Sequence, residues 1–155
     1  MRHYHENGMI YSITSVTKGR ACLFEDRLAC CLLTKCIGYY KLILSFKLYG
    51  FVIMPDHIHC IIQPQSDMTV SKIMNYIKGN FARKYNWMKD RDGGLWQKRF
   101  YDRGLRGMIQ LSRELDYVHN NPVRAGLVNV PGEYEFSSYT YYFGNGYRDL
   151  IDHPA

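Results

Sequence analysis

Two apolar runs meet at a Pro-Asp pair, and that junction restricts the fold more than any other feature of the chain. Leu44, Phe46 and Leu48 alternate with Ser45 and Lys47, the period of a half-buried strand. Phe51 to Met54 continues as a fully apolar run. Pro55 and Asp56 break it and predict a tight reversal. His57 to Gln63 then reads as the return strand of a hairpin.

The flanking segments supply the rest of a sheet and its helices. Met9 to Val16 reads as a strand carrying Tyr11 and Ile13. Phe24, Leu28, Cys31, Leu32 and Cys36 recur at helical spacing, with Gly38 offering a stop. Val70, Ile73, Met74, Ile77 and Phe81 form an amphipathic stripe. Asp90 to Gly94 is rich in turn residues, and Arg99 to Leu105 is a short strand. Met108, Leu111, Leu115 and Val118 mark a further helix, which Pro122 is expected to limit because a residue before proline disfavours helical dihedrals. The tail from Tyr134 is aromatic, with no assignable period. The order β, α, β, β, α, β, α predicts an α+β fold, a ferredoxin-like sandwich whose antiparallel sheet has helices on one face.

Length and composition narrow the function. The 155 residues suit one compact domain over 1–155, and an apolar content of 46% excludes intrinsic disorder. No apolar run approaches the roughly 20 residues of a membrane span. Met1 to Met9 is polar and lacks an apolar signal core. Cys22, Cys30, Cys31, Cys36 and Cys60 are odd in number and form no Cys-x-x-Cys pair. They read as reduced core residues of a cytoplasmic protein. The net charge is +6, and its source is local. Lys72 to Arg106 holds ten Lys or Arg against Asp90, Asp92 and Asp102, which suits a polyanionic partner or a solvated helix face.

Within the hairpin, His57-Ile58-His59 is the most informative triplet. Side chains at i and i+2 of a strand share a face, so the imidazoles project together while Ile58 enters the opposite layer. Neutral imidazole is a good ligand for a divalent metal. The surrounding strands are almost wholly apolar, so two histidines there need partners. Asp56 can orient one of them, or serve only as a turn residue.

One of the fourteen tyrosines stands apart. At 100° per residue, Tyr117 lies about 140° from the centre of the Met108–Val118 stripe. Arg113 and Asn121, at i−4 and i+4, share its face. A tyrosine used only for packing belongs on the stripe; this one sits beside a cation and an amide.

The segment Phe51-Val52-Ile53-Met54-Pro55-Asp56-His57-Ile58-His59 resembles the histidine–hydrophobic–histidine segment of the single-tyrosine, HUH-type transposases, and within them the REP-associated tyrosine transposases. Four further segments match in the same order: 77–85 (IKGNFARKY), 95–102 (LWQKRFYD), 117–127 (YVHNNPVRAGL) and 136–139 (FSSY). Together they span nearly the whole chain. The resemblance implies a ferredoxin-like sheet, His57 and His59 as metal ligands, Tyr117 as nucleophile and Asn121 as third ligand. It implies magnesium or manganese as cofactor and single-stranded, hairpin-forming DNA as partner, with monomer and homodimer both open. The family usually has asparagine at position 56; Asp56 departs from it. The N-terminal segment matches only loosely.

These implications describe a nicking and joining reaction. A metal neutralises charge on the phosphate, Tyr117 attacks, and a 5′-phosphotyrosine stores the bond energy for rejoining without ATP. A phenol ionises near pH 10, so activation is required from the metal or a neighbouring base. Arg83, Lys84, Arg99, Arg103 and Arg113 are the expected backbone contacts. Trp96, Phe100 and Tyr101 either stack on unpaired bases or belong to the core. Two rivals share the same residues. One is a nucleic-acid-binding regulator without cleavage, the other a metal hydrolase that uses water and leaves no covalent adduct.

Overall fold

The computed structural model describes residues 8–154, so the expectation for the first residues falls mostly outside the described part. Among the described residues, four strands form one antiparallel sheet: β1 (Ile10–Val16), β2 (Phe46–Met54), β3 (His57–Pro64) and β4 (Tyr101–Leu105), in the order β2-β3-β1-β4. Helices α1 (Arg27–Ile43) and α2 (Val70–Met88) connect β1 to β2 and β3 to β4, and α3 (Gly107–Arg124) follows β4. This is the expected α+β, ferredoxin-like arrangement.

Strand alternation sorts the sheet into two faces. Ile13, Phe51, Ile53, Ile58, Cys60 and Ile62 face α1 and α2 in the larger core. Val52, Met54, Ile61 and Leu105 face the other way and meet Leu111, Leu115 and Val118 of α3. The expected helical layer is thus α1 and α2, and α3 crosses the opposite face. That face carries His57 and His59.

Caps explain the helix starts better than stripes do. Asp26 accepts a hydrogen bond from the Leu28 amide and begins α1 at Arg27. The buried face becomes Ala29, Cys30, Leu33, Cys36 and Ile37, while Leu28, expected inside, is 59% exposed. Phe24 lies before the helix and packs on Phe81 and Trp96. Gly38 does not end α1, because the chain stays helical to Ile43. Thr69 caps α2 in the same way as Asp26, and all five expected stripe residues of α2 are buried. Two further corrections concern α3 and the thiols. Pro122 lies inside α3, which continues to Arg124, and Met108, the first residue of the expected stripe, is exposed. Cys22 is exposed and Cys31 half-buried, so only Cys30, Cys36 and Cys60 are core residues; all five are free thiols.

The aromatic tail closes the open edge of β2. The Ile53 amide donates to the Phe136 carbonyl and the Ser138 amide to the Phe51 carbonyl, each at 2.9 Å. Further along, Asp152 and Leu48 exchange bonds. An edge strand with unpaired amides is prone to association, and this segment covers it. Among the described residues no helix is long and apolar enough to cross a membrane.

Candidate active site

The hairpin places the two histidines, and the neighbouring strands prepare them. His59 lies across from Val52 of β2 and Thr14 of β1, and His57 across from Met54 and Val16. The two rings are 4.8 Å apart, edge to face. Each Nδ1 already has a partner: the His57 Nδ1 is 2.6 Å from Asp56 Oδ1, and the His59 Nδ1 is 2.7 Å from Thr14 Oγ1. With a proton on each Nδ1, both Nε2 lone pairs remain for a ligand.

Asp56 therefore fills both roles left open by its sequence. It is a turn residue, and it is the carboxylate behind His57. Its second oxygen receives a bond from Arg20 Nη1 at 3.1 Å. Burial alone raises this carboxyl, but the bonds from His57 and Arg20 outweigh it and hold the pKa below the ordinary value. Burial, reinforced by the charges of His57 and Arg124, pushes His59 down to about 4. At neutral pH it is a neutral imidazole, the form that binds metal.

Helix α3 brings the phenol. Leu111, Leu115 and Val118 press on the sheet, so Tyr117 turns outward and is 51% exposed. Its ring lies 6.1 Å from that of His59. Glu114, one turn before Tyr117, accepts a hydrogen bond from Ser12 Oγ at 2.7 Å and pairs with Arg103, tying α3 to β1 and β4. A cavity of about 350 Å³ opens between these elements, lined by Thr14, His59, Tyr101, Arg103, Glu114 and Tyr117 among others.

The structure brings some of the expected residues together and separates others. His57, His59 and Tyr117 converge. Asn121 stands one turn beyond Tyr117 on α3. Arg103 reaches the cavity but is engaged by Glu114, and Arg113 is exposed on α3. Arg83 and Lys84 belong to α2, on the other face of the sheet, where Arg83 bonds Asn80. Arg99 is exposed in the segment before β4. Trp96 packs on Phe24 and Phe81 and bonds the Lys78 carbonyl, and Phe100 also packs against the core, so both are structural. Tyr101 is 65% exposed and lines the cavity. His119 is buried and bonds Ser138 Oγ at 2.7 Å, away from the cavity.

Thr14, Ser12, Glu114 and Arg124 were not singled out by sequence. Ser12 and Thr14 alternate with Tyr11 and Ile13, so their period already placed them on the face opposite the larger core. Arg124 follows Tyr117 by seven residues, two helical turns, which also puts it on the same side.

The sequence pattern described as "Transposase IS200 like" matches residues 5–121. A protein of Haemophilus influenzae, assigned to the REP-associated tyrosine transposases, is 34% identical over 104 residues, covering 61% of this chain and 59% of its own. The REP-associated tyrosine transposase of Escherichia coli K12 is 30% identical over 95 residues, covering 61% and 54%. The chain thus spans a little over half the length of these relatives. In fold, it superimposes on a REP-associated tyrosine transposase bound to a REP hairpin with a TM-score of 0.82. That match has 24% identity and covers 98% of this chain and 90% of the other. A Deinococcus radiodurans protein described as a transposase gives a TM-score of 0.54 at 18% identity, covering 77% and 95%. With a family pattern matched over most of its length, the chain belongs to the IS200-like transposase family.

Proposed function

We propose that this protein nicks and rejoins single-stranded DNA at hairpin-forming sites, with Tyr117 as nucleophile and a divalent metal held by His57, His59 and Asn121. The observation that carries the reading is the facing of the His57–His59 pair, its Nδ1 atoms already engaged, by the ring of Tyr117 at 6.1 Å from His59. The donor set suits the metal. Two imidazoles offer Nε2, one backed by a carboxylate, and Asn121 supplies an amide oxygen. The third ligand, Asn121, is the one the family resemblance implies, and it stands one turn beyond Tyr117 on α3.

Magnesium or manganese, when bound, polarises a non-bridging phosphate oxygen and neutralises the charge that builds up during attack. Asp56 and Thr14 fix the imidazole orientations. Tyr117 Oη attacks the phosphorus in line; the Oη–P bond forms as the bond to the 3′ oxygen breaks. The phenolic proton leaves Oη, the 3′ oxygen gains one, and the products are a 5′-phosphotyrosine and a free 3′-OH. Attack by another 3′-OH reverses the step and rejoins strands. Tyr101 stacks on an unpaired base. Arg99, Arg103 and Arg113 contact the backbone near the site, and Arg83 and Lys84 contact it on the far layer. The solved relative bound to a REP hairpin makes a hairpin the first substrate to try.

The test is a denaturing gel of the protein with a labelled single-stranded hairpin and magnesium or manganese. The expected result is a covalent adduct absent in Tyr117→Phe. Cleavage that survives that substitution supports a water-using hydrolase, and retarded but uncut DNA supports a regulator.

A further inference from the structure

One arginine grips the phenol residue from two sides. Arg124 Cζ lies 4.0 Å from the centroid of the Tyr117 ring, and its Nη2 donates to the Tyr117 carbonyl at 2.9 Å. The other cation–ring contacts among the described residues are looser, at 5.5 to 6.0 Å.

The sequence builds this grip. Seven residues separate Arg124 from Tyr117, so the two share a helix face, and side chains on a helix tilt toward its N-terminus. Arg124 thereby reaches back over Tyr117. This works only if the helix continues past Pro122 and then stops. Gly126 supplies the stop with φ +76°. Its amide donates to the Val123 carbonyl and the Leu127 amide to the Pro122 carbonyl, the paired bonds of a Schellman cap. Arg124 is left as the last helical residue.

Its charge is also uncompensated. Arg20, Arg27 and Arg103 each pair with a carboxylate, whereas among the described residues Arg124 pairs with none. Pinning an exposed arginine costs side-chain entropy, so a double attachment to one tyrosine needs a reason. Only one of its five N–H donors is spent on the Tyr117 carbonyl, which leaves others for a phosphate oxygen.

We propose that Arg124 is a positioning residue for Tyr117: it fixes the phenol ring over His59 and holds a free positive charge where the transferred phosphate comes to lie. This rests on the reading of Tyr117 as the nucleophile.

The test compares Arg124→Ala and Arg124→Lys with wild type in the full chain. Single-turnover adduct formation on a labelled hairpin should slow about 100-fold in Arg124→Ala, with hairpin affinity measured without metal changing less than about threefold. Low-millimolar guanidinium should restore part of the rate in Arg124→Ala and leave wild type unaffected. Arg124→Lys, which keeps the charge but not the planar fork, should fall between. An unchanged rate, a loss that only mirrors weaker binding, or no response to guanidinium would overturn the proposal. Should wild type itself form no adduct, the nucleophile reading fails, and the grip is judged by 19F NMR of 3-fluorotyrosine protein. The resonance identified by its loss in Tyr117→Phe should then move and narrow in Arg124→Ala. An unmoved resonance overturns the grip as well.

Discussion

At the scale of single residues, the proposed site depends on partners that hold its two histidines. Thr14 fixes His59 as Asp56 fixes His57, and such supporting bonds are usually worth 10- to 100-fold in metal affinity. Thr14→Val keeps the shape and removes the hydroxyl. Calorimetric titration with manganese should show affinity reduced by about that factor, and unchanged affinity would deny Thr14 this role. His119 is the contrasting histidine. Burial lowers it to about 4 from an ordinary 6.5. Because the fold holds it neutral, its contribution is complete above pH 6.5 and is lost as the pH falls toward 4. The loss amounts to as much as about 3 kcal/mol. Urea midpoints between pH 7 and 5 should therefore fall less steeply in His119→Gln than in wild type. The histidine pair was legible because its spacing and apolar surroundings both speak along the chain. Its partner Thr14 was not, because Thr14 meets His59 only through strand pairing across 45 positions.

At the scale of elements, the seating of α3 decides where the phenol stands. Gly50, next to the irregular register between Leu48 and Gly50, makes room for this helix. A Cβ there would come within 2.6 Å of Leu115 Cδ2 and 3.1 Å of Ser138 Oγ. Gly50→Ala should destabilise the fold by about 1–3 kcal/mol through overpacking, with the cost smaller when Leu115→Ala is added. Equal costs in both backgrounds would place the strain elsewhere. The strands and the stripe of α2 were readable because period and burial agree there. The stripe of α1 was misplaced because Asp26 sets the helix start and Phe24 lies outside it. Pro122 was read as a stop, yet α3 stays helical through it to Arg124, with His119, Val118 and Pro122 all buried. The tail stayed unassigned because its helix, Tyr139–Tyr142, is a single turn too short to show a period; its other bonds go to the edge of β2.

At the scale of the whole molecule, the basic stretch divides. Residues 72–106 run from α2 on one face, around the loop, to β4 beside the cavity, so their surplus charge is not one patch. A sequence count shows the surplus but not this division. Contacts on both layers predict hairpin binding that weakens about 10- to 100-fold between 50 and 200 mM salt. Anisotropy values insensitive to salt would contradict that. The joining of the two layers at one phosphate is the larger claim. Trypsin releases Glu114–Arg124 as a peptide, and Tyr117 is its only tyrosine. Mass spectrometry of the protein trapped on a hairpin substrate with manganese should find the nucleotide on this peptide. A nucleotide on any other peptide, or cleaved DNA with none attached, would contradict the account.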